Sequence, residues 1–323
     1  MTLVEPKIFP LCIHPAFDNE ESKVIINSIP YKNFAYASRD GNCFYTSYLA
    51  GFFSLLPFIS KEKTIKIKNS LQKQLGVLSN FFVDDMVYGD FYCTFKEMVS
   101  KFSDNPENII KTLKYENVIK NSNNNKVKSS KNQITLINSD YKQFAEISES
   151  FDPNDIVSAY NDYKNNSFDN EDLSLKILQD PSNSKNCIIN DENIVRKNSK
   201  YEDNIENQCI IRQTLYCEIN KYLMDYFKEL IALLRIFVST HLRYNKEKYQ
   251  PFIEIDIDDY CKKNVDPFYK DAGNLEISCL ADILGIGIKI FYSDRSDFMA
   301  DFGEGEVFIP ILYVPGHFDP LYD

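Results

Sequence analysis

The sequence predicts an α+β fold in which helices flank a small, mostly antiparallel sheet. Three observations predict it. A dense apolar run follows Cys43, long apolar periodicities follow Thr214, and the β-type runs cluster near the C-terminus. Helices early and strands late is the order of an α+β protein, not the regular alternation of a parallel sheet.

The elements are taken in chain order. Asp18-Asn19-Glu20-Glu21 has capping-box spacing and predicts a short helix from about Asn19 to Ser28. From Cys43 to Leu56 the chain carries Phe44, Tyr45, Tyr48, Leu49, Phe52, Phe53 and Leu55. That is apolar nearly all round, so this helix belongs in the middle of a domain. Pro57 ends it. Glu62 to Leu78 reads as an amphipathic helix through Ile65, Leu71, Leu75 and Leu78, and Phe95 to Phe102 as another. Thr214 to Tyr244 predicts one or two long buried helices. Asn274 to Leu284 predicts a short one with Asn274 as N-cap. Gly287–Tyr292, Val307–Val314 and His317–Tyr322 read as strands.

Between these blocks the composition changes. From about 117 to 208 the chain is rich in Asn, Ser, Lys and Asp, as in Asn121-Ser122-Asn123-Asn124-Asn125-Lys126. Such a segment buries too little apolar surface to offset its ordering entropy, so it reads as a disordered insertion. The chain is expected to form a single domain over 1–323, interrupted by this insertion, and to be a monomer.

Composition narrows the function. The 323 residues are 44% hydrophobic with a net charge of −11. A nucleic-acid binder needs a basic face, so that class is disfavoured, and an acidic surface suits a basic protein partner. The eight cysteines form no CxxC pair, which argues against a zinc knuckle or redox motif. The first residues lack a basic segment followed by an apolar one, and no run of about 20 apolar residues is present to span a bilayer. The expectation is a reduced protein of the cytoplasm, and also the nucleus, with no cofactor and no metal. Most of its cysteines would then be small buried hydrophobes.

Chemistry enters at Asp40-Gly41-Asn42-Cys43-Phe44-Tyr45. A tight turn there passes into a helix with Cys43 at its N-terminus, where the helix dipole favours a thiolate. Gly41 lets the backbone approach a substrate carbonyl, and Asp40 can shape the turn through a local hydrogen bond. Backbone N–H groups of Gly41, Asn42 and Cys43 are natural donors to an oxyanion. By itself Asp40-Gly41-Asn42-Cys43 reads more readily as an ordinary turn with a helix cap and a buried cysteine. The histidines sharpen it, because there are three: His14, His241 and His317. His241 lies near the end of a predicted helix, where it would meet the last carbonyls. His14 lies in an N-terminal extended segment and reads as a surface or packing residue. His317 follows Pro315-Gly316 and opens a strand, so His317 and Asp319 share one face and Phe318 takes the other. Asp319 can then fix the ring tautomer while the other ring nitrogen faces Cys43.

With these motifs in view, the chain resembles the ovarian-tumour (OTU) cysteine proteases, and within them the otubains of peptidase family C65. The residues are the Asp40–Tyr45 hexapeptide, Asp90-Phe91-Tyr92-Cys93-Thr94-Phe95, the stretch from Tyr260 to Phe268, the Ile277–Leu284 helix, and Tyr313 to Tyr322. The similarity spans roughly 20–115 and 210–323. Thr46 and Tyr48 stand where otubains usually carry Arg and Phe. The resemblance implies a papain-like fold and a deubiquitinase that cleaves isopeptide bonds after the terminal glycine of ubiquitin. It implies Cys43 as nucleophile, His317 as general base and then acid, Asp319 as orienting acid, and Asp40 in the oxyanion loop. Ubiquitin or polyubiquitin chains, and ubiquitin-conjugating enzymes, are the partners implied. Two rival readings keep the fold: a catalytically silent ubiquitin or conjugating-enzyme binder, and a protease for a ubiquitin-like modifier.

Overall fold

Every side chain from Cys43 to Ser54 is buried, and this one helix organises the rest of the molecule. The structure is a computed structural model that describes residues 3, 6–18, 20–79, 81, 85–114, 116, 211–294 and 299–323. The polar stretch expected as an insertion at 117–208 lies outside the described residues.

In chain order the elements are β1 (Phe9–Pro10), α1 (Glu20–Ser28), β2 (Asn33–Phe34), α2 (Cys43–Leu55), α3 (Lys61–Ser79) and α4 (Asp85–Phe102). Helices α5 (106–114) and α6 (211–223) follow. Then come α7 (Phe227–Tyr244), α8 (Asn274–Leu284), β3 (Gly287–Tyr292), β4 (Met299–Phe302), β5 (Phe308–Val314) and β6 (His317–Tyr322). Short helical turns fill the segment between α7 and α8.

The strands form a sheet of order β1-β2-β6-β5-β3-β4. All neighbours are antiparallel except β3 and β5, which run parallel. Helix α2 packs against β6 and β5 on one side and against α7 and α4 on the other. A helix sandwiched between a sheet and a helical layer has no solvent face, which is why its sequence is apolar nearly all round. The main core joins α2, α3, α4, α7 and α8 to that face of the sheet. A smaller core, with Leu11, Phe17, Ile29 and Phe34 against Phe291, Leu312 and Leu321, covers the opposite face with the N-terminal segment. Strand β6 is therefore buried on both sides along its whole length.

Several elements differ from expectation. Helix α4 begins ten residues before Phe95; the Thr214–Tyr244 region, expected as one or two helices, is two, α6 and α7, separated by a turn over 224–226. The cap of α8 is Gly273, not Asn274: its N–H donates to Glu276 Oε2 at 2.7 Å. Strands β1, β2 and β4 carried too few alternating residues to be read. Of the six described cysteines, Cys43, Cys261 and Cys279 are buried, Cys217 is half-buried, and Cys12 and Cys93 are exposed. Burial pushes the Cys261 thiol up to about 12 against the opposing pull of Arg243, and raises Cys279 well above the ordinary value. Both suit packing, not reactivity.

Candidate active site

The turn before α2 is built by four residues with separate tasks. Asp40 Oδ1 accepts the Asn42 N–H at 3.1 Å, closing the turn locally. Gly41 holds φ +78°, and a Cβ there would lie 2.1 Å from the Tyr269 carbonyl oxygen. Only glycine admits so close an approach in that conformation. Asn42 precedes the helix without capping it through its side chain. Its Oδ1 turns inward and accepts from Arg235 Nη2 at 2.7 Å and Nε at 3.2 Å. Cys43 then opens α2 with its N–H among the first-turn groups that lack an intrahelical acceptor. The expected donor role for the Asn42 N–H is corrected here, because that group is engaged by Asp40. The Gly41 and Cys43 N–H groups are the candidates left in the turn.

The second half of the site comes from the β5–β6 hairpin. Val314 pairs with His317, so Pro315 and Gly316 form a two-residue loop, with Gly316 at φ +73°. Alternation along β6 sends Phe318 onto Phe44 of α2, ring centroids 5.5 Å apart, and puts His317 beside Asp319. His317 Nε2 meets Asp319 Oδ1 at 3.1 Å. Ser47 Oγ donates to the Phe318 carbonyl at 3.0 Å, fastening α2 to the strand that carries the histidine.

The electrostatics follow from this enclosure. Cys43, His317 and Asp319 are 3%, 2% and 1% exposed. Burial works to lower the His317 pKa, but the hydrogen bond with Asp319 and the nearby Cys43 thiol outweigh it and raise it to about 9. His317 Nδ1 is buried without a hydrogen bond of regular geometry. The thiol thus acts on the ring without a well-formed bond to it, a looseness common before substrate binds. Burial also pushes the Asp319 carboxyl up, yet donation from His14 and His317 holds it below the ordinary carboxylate range.

Two contributors were not read from the sequence. His14 is buried, and its Nε2 meets Asp319 Oδ2 at 3.2 Å. It packs, as expected of it, but it also belongs to the carboxylate's surroundings. Arg235, 3% exposed on α7, donates to the Gly41, Val265 and Lys270 carbonyls as well as to Asn42, and lies over the Tyr45 ring at 4.4 Å. An arginine inside Leu233-Leu234-Arg235-Ile236-Phe237 was the available signal, since arginine is almost never fully buried without partners. His241 does not turn to the last carbonyls of α7. Its Nδ1 meets Gln74 Oε1 of α3 at 2.9 Å.

A thiol at a helix start, an imidazole raised in pKa, and a carboxylate behind it suit acyl transfer through sulfur. A cleft lined by Asp271, Asn274, Ile277, Tyr292, Tyr313 and Phe318 opens beside the His317 hairpin. Among the described residues no cluster of metal-ligating side chains is present, and no helix is long and apolar enough to cross a membrane.

Comparison with known proteins bears on the fold and the family. The chain is 32% identical over 104 residues to a Caenorhabditis elegans protein named "Ubiquitin thioesterase otubain-like", covering 29% of this chain and 37% of that one. It is 29% identical over 127 residues to human "Ubiquitin thioesterase OTUB1", covering 37% and 46% respectively. The matches thus span less than half of these relatives. Among solved structures, the chain superposes with TM-score 0.52 at 18% identity on a chain of a complex described as h/ceOTUB1, ubiquitin aldehyde and UBC13~Ub. That alignment covers 98% of this chain and 89% of the other, and the two share a fold. A sequence model described as Peptidase C65 otubain matches residues 16–134 and 190–323, taking in the Cys43 turn, the Arg235 helix and the His317 hairpin. On that match the chain belongs to the peptidase C65 otubain family.

Proposed function

We propose that the chain is a thiol-dependent deubiquitinase working through Cys43, His317 and Asp319. The observation that carries the reading is the His317 ring, gripped at Nε2 by Asp319 and raised in pKa by that carboxylate and by the nearby Cys43 thiol. The ubiquitin thioesterase names of the relatives, and the ubiquitin and UBC13~Ub in the complex that shares the fold, support ubiquitin as the substrate and a conjugating enzyme as a partner.

His317 takes the thiol proton on Nδ1 as the attack begins. The Cys43 sulfur attacks the carbonyl carbon of ubiquitin's terminal glycine, and the oxyanion meets the Gly41 and Cys43 N–H groups. The tetrahedral adduct collapses, the C–N bond breaks, and Nδ1 gives its proton to the leaving lysine amine. Water then adds to the thioester as His317 accepts one of its protons. Collapse of this second adduct releases the ubiquitin carboxylate, and the sulfur leaves as it began. Asp319 keeps Nε2 protonated throughout, so that Nδ1 remains the working nitrogen.

The test is covalent capture. Ubiquitin carrying a C-terminal electrophile is incubated with the wild-type chain and with Cys43→Ala. The expected result is one adduct with wild type and none with the variant. A wild-type chain that forms no adduct would sink the proposal, and an adduct on Cys43→Ala would move the nucleophile elsewhere.

A further inference from the structure

We propose that His14 is a positioning residue for this reaction, holding the Asp319 carboxylate in place behind His317; the inference rests on the deubiquitinase reading above. Two of the chain's three histidines meet on one carboxylate. His317 takes Oδ1 at 3.1 Å and His14 takes Oδ2 at 3.2 Å, while the Ala37 N–H donates to Oδ1 at 2.7 Å. Asp319 is 1% exposed, so water does not serve these oxygens from outside.

The tautomer of His14 is set by its own turn. The Ala16 N–H donates to His14 Nδ1 at 3.0 Å, so Nδ1 is an acceptor. The ring proton therefore sits on Nε2, where it points at Asp319. The plane of the ring is fixed by aromatic neighbours: Phe34 at 4.6 Å, and Phe17 and Tyr36 at 5.9 Å between centroids. The titratable groups facing it are Asp319, with His317 beyond, and the Tyr36 phenol, which burial, Asp319 and Asp18 together keep protonated. This packing is the small core that the N-terminal segment makes on the far side of the sheet. The N-terminal segment therefore reaches the reaction through one hydrogen bond.

Without that donor, Oδ2 is a buried oxygen lacking its His14 partner. The carboxylate must then rotate away from His317 or take up a proton at higher pH. The alternative is that His14 merely closes the turn by accepting the Ala16 N–H.

Two substitutions separate these. In His14→Asn, Oδ1 can still accept the Ala16 N–H, but the side chain is too short to reach Asp319. In His14→Gln, Nε2 can stand where the ring Nε2 stood and donate. Melting temperatures of both variants establish that each is folded, and hydrolysis of a ubiquitin C-terminal amide is then followed against pH. The expected result is a loss of kcat of about tenfold or more in His14→Asn with KM little changed. Its acid limb moves to higher pH, and His14→Gln recovers most of both. Equal loss in the two variants, or wild-type kcat and acid limb in His14→Asn, overturns the proposal. Nitrogen NMR of the three histidine rings needs no turnover. It should show wild-type His14 protonated at Nε2 and bare at Nδ1, with His317 signals displaced in His14→Asn and restored in His14→Gln. The opposite tautomer, or His317 signals indifferent to both substitutions, also overturns it. A wild-type chain inert toward ubiquitin would overturn the ubiquitin reading alone, and the ring spectra would still decide the role of His14.

Discussion

Arg235 and Asn42, 193 residues apart in sequence, are joined by two hydrogen bonds of 2.7 and 3.2 Å to a single oxygen. The guanidinium extends this grip to the Gly41 carbonyl at 3.1 Å and the Lys270 carbonyl at 2.5 Å. One side chain thus fixes the turn that presents Cys43 and the loop whose carbonyl presses on Gly41. Lysine donates its three N–H groups from a single nitrogen and has no planar fork, so it cannot reproduce a set spread over Nε, Nη1 and Nη2. Arg235→Lys should lower stability by roughly 2 kcal/mol, a few degrees in melting temperature. It should also lower turnover about tenfold as the turn loosens. A calorimetric melt and a ubiquitin hydrolysis assay check both, and wild-type values of each would show that the clasp is dispensable.

Gly41 tests the same turn from the other side. A Cβ there meets a backbone carbonyl at 2.1 Å, and no flexible side chain can move out of its way. Gly41→Ala should therefore displace Cys43 or the 269–270 loop and reduce turnover by about a hundredfold. Gly316 is the control. Its φ is also positive, at +73°, but nothing lies within 4 Å of its virtual Cβ. Gly316→Ala should cost only the left-handed strain of about 1–2 kcal/mol. Turnover reduced equally in both variants would mean that left-handed strain, and not the Tyr269 contact, governs position 41.

The contrast between these two glycines marks what was legible in the sequence. Local chemistry was readable: the Pro315-Gly316 loop, the shared strand face of His317 and Asp319, and the all-round apolar α2. Each depends on residues within a few positions of one another. Arg235 and His14 were not readable in their roles, because each acts on partners far away in the chain. An arginine in an apolar helix signals a buried partner but not which one. A histidine in an extended segment signals nothing until the small N-terminal core folds onto the sheet. The cap of α8 failed for a different reason: the cap residue is glycine, and the bond is supplied by Glu276 reaching back to it.

The alkaline limit of activity should follow His317. Its folded pKa is about 9, above the ordinary 6.5, so the folded state favours the protonated ring. The stability this contributes is fully present below pH 6.5 and is lost as pH rises through about 9. In the proposed mechanism His317 carries a proton to the leaving amine, and that proton is lost over the same range. The alkaline limb of kcat/KM is expected near 9 in wild type and at lower pH in Asp319→Asn, which removes the charge that raises the pKa. A limb that stays in place in Asp319→Asn would detach the raised pKa from the carboxylate.

The acid side should be governed partly by His241, far from the reaction. Burial among α3, α7 and the following turn lowers its pKa from 6.5 to about 4, with Asp282 opposing and Lys248 assisting. Its Nδ1–H donates to Gln74 Oε1 at 2.9 Å, and Gln74 Nε2 donates in turn to the Phe237 carbonyl at 3.0 Å. The folded state thus holds a neutral ring that the unfolded chain would protonate near 6.5. Stability is undiminished above 6.5 and falls as pH drops from there toward 4, because the unfolded chain gains a proton that the folded one refuses. His241→Gln keeps a donor for Gln74 and removes the titration. It should flatten the loss of melting temperature between pH 6.5 and 4 while leaving turnover at neutral pH unchanged. A variant that loses stability over this range as steeply as wild type would assign the acid sensitivity to other groups.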